Sequence, residues 1–184
     1  MRILAPPAVA AVTIGELKAR ARIDHAHEDA VLQVMLDAAI LHVEKSTGRP
    51  LTPRRAAFTV PAGLSQWWFP AAPVRELIAV RADGAEIEGA RLIGGWDEPR
   101  LALPSGLQFD ELEVEAEIGL DPGDAAGAVL RDAILMLAAD RARSREATAE
   151  GSQSPVPFGL VATIRKERYA RPRLGFALDG RERS

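Results

Sequence analysis

The amino-acid sequence predicts a mixed α+β fold. Long helices pack together, a small antiparallel β region is inserted between them, and a C-terminal helix and an extended tail follow. Two observations predict the long helices: residues 28–47 and 125–146 each carry apolar side chains at the 3.6-residue spacing of an amphipathic helix. A third predicts the β region, because residues 51–119 alternate short β-prone runs with Pro and Gly. The 184 residues suffice for one domain with a real core, or for one domain plus extensions.

Composition excludes several classes of protein. Hydrophobic residues make up 47% and charged residues 27%, which is ordinary for a globular protein. The absence of cysteine excludes disulfides and thiolate zinc sites. No apolar run approaches the ~20 residues of a membrane span, so no membrane partner is expected. The apolar start is not read as a signal peptide, because Pro6 and Pro7 interrupt it.

The first part of the chain has clear helix signals. Residues 1–12 are expected to be an extended N-terminal segment, and Thr13 with Glu16 predicts a capping box that opens a short helix over residues 13–22. The long helix 28–47 should end at Gly48, since Pro50 prevents its continuation. Its predicted core stripe is Val31, Leu32, Met35, Leu36, Ala39, Ile40 and Val43.

The last part of the predicted core is the helix 125–146, which Asp124 should cap. Its predicted core stripe is Val129, Leu130, Ala133, Ile134, Leu137 and Ala138. Residues 147–157 are predicted to be a linker, because Ser, Gly, Thr and Pro are frequent in this stretch. Residues 158–184 then predict a short helix, with Phe158, Val161, Ile164 and Arg168 on one side, followed by a basic tail.

Charge is unevenly distributed along the chain. The net charge is −3, which does not suggest a nucleic-acid binder as a whole. Residues 109–124 hold seven acids and no base, whereas residues 165–184 hold seven bases against three acids. A chain with an acidic middle and a basic end suits self-association or a charged partner.

The acidic middle contains four alternating glutamates: Glu111, Glu113, Glu115 and Glu117. Along a strand such residues share one side and lie about 6.5–7 Å apart, near the carboxyl spacing of some glycosidases. A catalytic pair, however, needs two different environments, and a regular ladder gives similar ones. We therefore interpret the ladder as the solvated face of a half-buried strand.

Other candidate sites are weaker. His25 and His27, with Asp24 and Asp29, form an imaginable metal site, but they crowd a turn and a helix start. The adjacent Trp67 and Trp68 must point to opposite sides of a strand, so one is expected to be available to a neighbouring subunit. Phosphate-loop and serine-nucleophile signatures are absent from the sequence.

The sequence allows two interpretations of the basic tail. It is either a solvated end or a segment that folds on binding an acidic or grooved partner. Tyr169, Leu174 and Phe176, which lie between arginines, are the residue types that anchor interfaces.

The order of these elements resembles the head–tail connector (adaptor or head-completion) proteins of phages and of phage-derived gene transfer agents. Four stretches carry the likeness: VTIGELKARARIDHAHEDAVLQVMLDAAILHVEKSTGRPL at 12–51, FPAAPVRELIAV at 69–80, LEVEAEIGLDPGDAAGAVLRDAILMLAADRARSRE at 112–146, and VPFGLVATIRKER at 156–168. The sequence departs from the family at DRARSRE, where aromatics are usual, and in its longer arginine-rich tail. Both departures lie where contacts with other subunits or with the portal are expected.

The resemblance implies a structural protein without catalysis or cofactor. It would form a ring, a dodecamer, in the neck of a particle made in the host cytoplasm, and DNA would pass through without sequence-specific binding. Its partners would be the portal and the next neck or tail component, a stopper or tail terminator. Portal-interface candidates are Phe158, Leu160, Ile164, Arg165, Arg168, Tyr169, Arg171, Arg173, Leu174 and Phe176. Lumen or subunit-interface candidates are Glu111, Glu113, Glu115, Glu117, Trp67 and Trp68.

Two other functions remain open from the residues alone. A metal-dependent carboxylate enzyme of the same particle would lose activity on Glu113→Gln or Glu115→Gln. A DNA-binding accessory protein would bind through the arginines of the tail with steep salt dependence. For the connector, deletion of residues 158–184 is expected to abolish portal attachment and to leave the core folded.

Overall fold

The computed structural model describes residues 1–121, 123–147 and 158–171. The predicted mixed α+β fold is confirmed. The helices are α1 (Ile14–Ala21), α2 (Asp29–Thr47), α3 (Ala125–Ala147) and α4 (Phe158–Lys166). The strands are β1 (Arg2–Ile3), β2 (Arg54–Val60), β3 (Gln66–Trp68), β4 (Val74–Ala82), β5 (Ala85–Glu86), β6 (Arg91–Ile93), β7 (Arg100–Ala102) and β8 (Leu112–Ile118). Residues 148–157, most of the predicted linker, and the tail residues Arg173, Leu174 and Phe176 lie outside the described residues.

The four helices enclose the first of two hydrophobic cores. Helix α3 packs against α1, α2 and α4, and α2 also contacts α1 and α4. The α2 side chains in this core are Leu32, Leu36, Ala39 and Val43, and those of α3 include Leu130, Ala133, Ile134, Leu137 and Ala138. Val31 and Val129, which the sequence assigned to the core stripes, are instead exposed. The buried arc of each helix is therefore narrower than its apolar pattern.

The predicted capping is found at the start of α1 but not in the predicted form at the start of α3. Thr13 and Glu16 form the predicted capping box at α1. Asp124 stands at the start of α3, where its carbonyl accepts the Ala128 amide hydrogen. Its carboxylate, however, accepts the Asp121 amide hydrogen at 2.8 Å, so this side chain braces the preceding turn.

The β region consists of two antiparallel sheets that share the second core. One sheet has the order β1-β2-β8-β4-β5 and the other the order β3-β7-β6. Phe58 and Val114 of the larger sheet join Trp67 and Leu101 of the smaller sheet in one apolar cluster. The last strand in sequence, β8, thus lies in the middle of the larger sheet, between β2 and β4.

No helix within the described ranges combines the length and the apolar character that crossing a membrane requires.

Candidate interaction surfaces

The glutamate ladder lies on the outer face of the larger sheet. Within β8, Leu112, Val114, Ala116 and Ile118 are buried, and the intervening glutamates are half-buried. The predicted alternation of β8 is therefore confirmed for Glu113, Glu115 and Glu117. Glu111 precedes the strand and is exposed, and its amide donates to the Asp83 carboxylate at 2.8 Å.

The neighbouring strands supply arginines to this ladder. The guanidinium–carboxylate distances are 3.0 Å for Arg2–Glu113, 3.9 Å for Arg55–Glu115, 3.8 Å for Arg81–Glu115 and 3.3 Å for Arg75–Glu117. Arg55, Arg75 and Arg81 reach the ladder because strand order places β2 and β4 on the two sides of β8, which the linear sequence does not reveal. Arg2 reaches Glu113 from β1, on the far side of β2. The glutamates lie on the solvated side of a half-buried strand, as interpreted from the sequence, and the arginines give this face mixed charge.

The paired ladder offers little for carboxylate chemistry. Each of the three glutamates in β8 has a cation of its own chain within 4 Å. Acid–base catalysis by a carboxyl pair requires two different environments, whereas these three glutamates share the same kind of neighbour, an arginine.

A group with metal-ligating side chains lies at the turn before α2. His25, His27 and Glu28 place one ligand atom each within 4.8 Å of one another. The two imidazoles stack, with centroids 3.9 Å apart and planes inclined by 19°. Ring lone pairs lie in the ring planes, so stacked rings direct them side by side and not toward one point.

Trp67 and Trp68 point to opposite sides of β3, as adjacent residues of a strand do. Trp67 is 5% exposed and packs edge-on against Phe58 and Phe69, with centroid distances of 5.9 and 4.9 Å. Trp68 is half-buried, with the Arg100 guanidinium 5.8 Å from its ring. Trp67 is thus a core residue and not a free subunit contact, and only Trp68 keeps exposed surface.

The C-terminal segment divides into buried and exposed residues. Leu160, Ile164 and Tyr169 are buried in the chain's own structure, so they are not surface residues free to bind a portal. Arg165, Arg168 and Arg171 are exposed. Arg171 places its guanidinium 5.3 Å from the Trp67 ring, where the described chain ends. The side chain of Phe158 lies outside the described residues.

Tyr169 ties this segment to the rest of the molecule. Its amide donates to the Thr47 carbonyl at 2.7 Å, and its hydroxyl donates to the Phe69 carbonyl at 3.0 Å. Burial raises the pKa of the Tyr169 phenol, and the nearby Glu98 adds to this effect, whereas Arg171 and Arg49 oppose it. The phenol therefore remains a hydrogen-bond donor across the neutral range.

The segment Glu44–Arg49 forms the junction between both cores and the C-terminal segment. Gly48 adopts a left-handed conformation with φ of 67° and ends α2. The Arg49 guanidinium donates to the Glu167 carbonyl at 2.9 Å. Glu44 pairs with Arg54 at the start of β2 and accepts the Leu51 amide hydrogen at 2.9 Å. This stretch therefore holds α4 and the larger sheet in place relative to α2.

The sequence analysis did not predict that several apolar side chains are exposed. Trp96, on the loop between β6 and β7, is 47% exposed. Val34 and Leu41 of α2 are 68% and 52% exposed. The signal for the α2 residues was present, because they continue the apolar character of that helix outside its core stripe.

Comparisons with known proteins point to one class, the head–tail connectors. Residues 11–78 match the model of the Phage gp6-like head-tail connector protein family. No curated protein matches the chain.

Three solved structures contain chains of similar fold. A chain of the virion of a native gene transfer agent particle is 24% identical, with a TM-score of 0.74 and coverage of 95% of this chain and 97% of that one. A chain in the neck of an empty particle, computed with C6 symmetry, is 23% identical, with a TM-score of 0.70 and coverage of 95% and 97%. A chain in the neck of a native particle, computed with C12 symmetry, is 25% identical, with a TM-score of 0.66 and coverage of 95% and 99%. The resemblance to phage and gene transfer agent head–tail connectors is confirmed.

Proposed function

We propose that this protein is the head–tail connector of a phage-like particle. It would form a ring of twelve copies in the neck, join the portal of the DNA-filled head to the tail, and let DNA pass. The observation that carries this proposal is the similarity to a neck chain with C12 symmetry, which covers 95% of this chain and 99% of that one. The family match over residues 11–78 supports the same role.

The partners follow from this position. The ring would bind the portal on one side and a stopper or tail terminator on the other, and DNA would pass without sequence-specific contacts. A ring needs two different contact patches on each subunit, because every copy binds one neighbour with each. The structure offers such surfaces in separate places: the mixed-charge sheet face, exposed Trp96 and the outer face of α2.

The sheet face does not by itself support a DNA-repelling lumen. An unpaired acidic surface would repel phosphates. Here arginines of β1, β2 and β4 lie beside the glutamates of β8. DNA passage is therefore proposed from the ring and its place in the neck, and not from the glutamate ladder.

Portal attachment is assigned to the exposed basic part of the C-terminal segment. Arg165, Arg168 and Arg171 are exposed and lead into residues 172–184, where Arg173, Leu174 and Phe176 lie. Leu160, Ile164 and Tyr169 support this segment from inside. Removal of 158–184, the deletion suggested by the sequence, would therefore damage the core as well as the attachment.

The test is a shorter deletion. A chain that ends at Arg171 should fold normally and fail to bind portal rings, measured by co-sedimentation and by electron microscopy of the mixture. The control is Arg91→Ala, an exposed basic residue on β6, which should leave portal binding unchanged. Full portal binding by the shortened chain would refute the assignment of the tail.

A further inference from the structure

Helix α2 has two apolar sides. The inner side packs in the helical core. The outer side carries four exposed apolar residues, which we name the outer stripe: Val31, Val34, Ala38 and Leu41. They follow one another at intervals of three, four and three residues, which places them in one line along the helix.

This arrangement differs from ordinary surface exposure. Single exposed apolar residues are normal on soluble proteins and need no explanation. Val34 at 68% and Leu41 at 52% exposed, however, belong to a regular line with the spacing of helix-packing seams. A helix that is apolar on opposite sides is typical of one that is covered on both.

A groove of the same chain offers a matching surface. It lies between α3 and α4, has a volume of about 580 Å³, and is lined by Ala128, Val129, Asp132, Ala133, Met136, Gly159, Leu160 and Thr163. Its residues are mainly small or apolar, and Val129 is 41% exposed. A Cβ added at Gly159 would have no atom within 4 Å, so the groove is open at this point. Small residues along a groove allow a partner helix to approach closely.

We propose that the outer stripe of one copy packs into the α3–α4 groove of the next copy in the ring. The inference rests on the proposed function and names the contact that closes the ring. Stripe and groove lie on different elements of one chain, so each copy donates its stripe to one neighbour and its groove to the other. Such a heterologous contact repeats around an axis, whereas a stripe-to-stripe contact would stop at a dimer.

Charge at the ends of the two surfaces agrees with this pairing. Lys45 continues the line of the stripe four residues after Leu41 and is exposed. Asp132 lies on the groove wall and is exposed, although it also pairs with Arg20 at 2.8 Å. Opposite charges at the rim of an apolar contact favour one register of the two surfaces.

Cysteine cross-linking tests the contact directly, because the natural chain has no cysteine. Particles are produced with Val34→Cys, with Val129→Cys, or with both substitutions, and are treated with a short bis-maleimide. Only the double variant should give a ladder of covalent oligomers on denaturing gels. Ladders or dimers from Val34→Cys alone would show a stripe-to-stripe contact and overturn the proposal. The matched control Val34→Cys with Ala62→Cys, an exposed site after β2, should give no ladder.

Obstruction of the groove gives an independent readout. Gly159→Trp should fill the groove and reduce ring formation at least tenfold, as measured by mass photometry and electron microscopy of neck assemblies. Gly159→Ala adds only a methyl group in open space and should assemble normally. Circular dichroism and thermal unfolding of both variants show whether the monomer folds.

The outcomes separate the two levels of proposal. Particles that contain the protein as a ring, but give no 34–129 ladder and tolerate Gly159→Trp, would overturn the contact and leave the connector role intact. Particles made with the natural chain whose necks lack the protein would overturn the connector role itself.

Discussion

At the scale of single residues, the buried tyrosine makes the most distinctive contribution. Tyr169 is the only tyrosine in the chain, and its hydroxyl connects the C-terminal segment to the Phe69 carbonyl of the sheet region. The sequence analysis predicted that Tyr169 anchors an interface with a partner, whereas the structure shows that it anchors the C-terminal segment to its own chain. The difference arises because a tyrosine beside arginines looks the same in sequence whether it binds a partner or its own chain.

The first prediction concerns the titration of Tyr169. Burial raises its pKa above the usual 10.0, so the folded state holds the phenol proton more tightly than the unfolded state. Stability from this group is fully present below pH 10 and is lost as pH rises through the folded pKa. Ultraviolet titration of tyrosinate should give a midpoint above 10.0 in the native protein, and a lower midpoint in denaturant. Equal midpoints would contradict the buried position.

Removal of the same hydroxyl should weaken the fold. Tyr169→Phe leaves the Phe69 carbonyl without this donor and should lower the free energy of unfolding by about 1 kcal/mol. Chemical denaturation at neutral pH measures the loss. A variant as stable as the natural chain would show that the hydrogen bond contributes nothing.

The capping box of α1 predicts the opposite pH dependence to that of Tyr169, because its contribution to stability is lost as pH falls. The Thr13 amide donates to the Glu16 carboxylate at 2.8 Å and, with the Thr13 hydroxyl and Arg131, holds the Glu16 pKa below its usual 4.5. Its stabilisation is present above pH 4.5 and is lost as pH falls through the folded pKa. Glu16→Gln should cost about 0.5 kcal/mol or less at pH 7, because the Glu16 side chain is 38% exposed and Gln can still accept the Thr13 amide hydrogen, and progressively less below pH 4.5. A pH-independent difference in unfolding free energy would refute the electrostatic origin.

At the scale of elements, the central strand depends on its neighbours. Glu115 lies between Arg55 and Arg81 and its side chain is largely buried. Glu115→Lys would place three cations together and should lower stability by about 1–2 kcal/mol, with part of the loss recovered at high salt. Glu111→Lys, before the strand and exposed, is the control and should change stability little. Equal effects from the two substitutions would contradict the paired ladder.

The C-terminal helix α4, which the sequence analysis assigned to portal binding, also contributes buried residues to the fold. Deletion of residues 158–184 removes Leu160, Ile164 and Tyr169 from buried positions, and should lower the unfolding free energy by about 3 kcal/mol or more. Deletion of 172–184 removes none of these contacts and should leave the melting temperature nearly unchanged. Thermal unfolding of both truncated chains, side by side, decides whether α4 belongs to the core.

Periodicity predicted the elements well where each could be read from local spacing. The capping box, the inward residues of β8 and most of the two helical core stripes required no knowledge of distant residues. Val31 and Val129 were misassigned because periodicity shows that a position is apolar, but not what covers it. The arginines beside the glutamates could not be predicted, since β8 meets β2 and β4 only through the strand order of the folded sheet.

At the scale of the whole molecule, the segment Glu44–Arg49 is a junction between the two cores. That segment ends α2, contacts the C-terminal segment and pairs with the start of β2. The arrangement leaves the outer side of α2, the α3–α4 groove and the mixed-charge sheet face exposed. A connector needs separate contact surfaces of this kind, because its function is to hold neighbours in a fixed geometry.

The most direct test is electron microscopy of particle necks that carry this chain with a small tag at its N-terminus, reconstructed without imposed symmetry. The account predicts a ring of twelve copies on the particle axis, between portal and tail, into which the described fold fits. A neck without the tagged chain, or the chain bound elsewhere as single copies, would contradict the account.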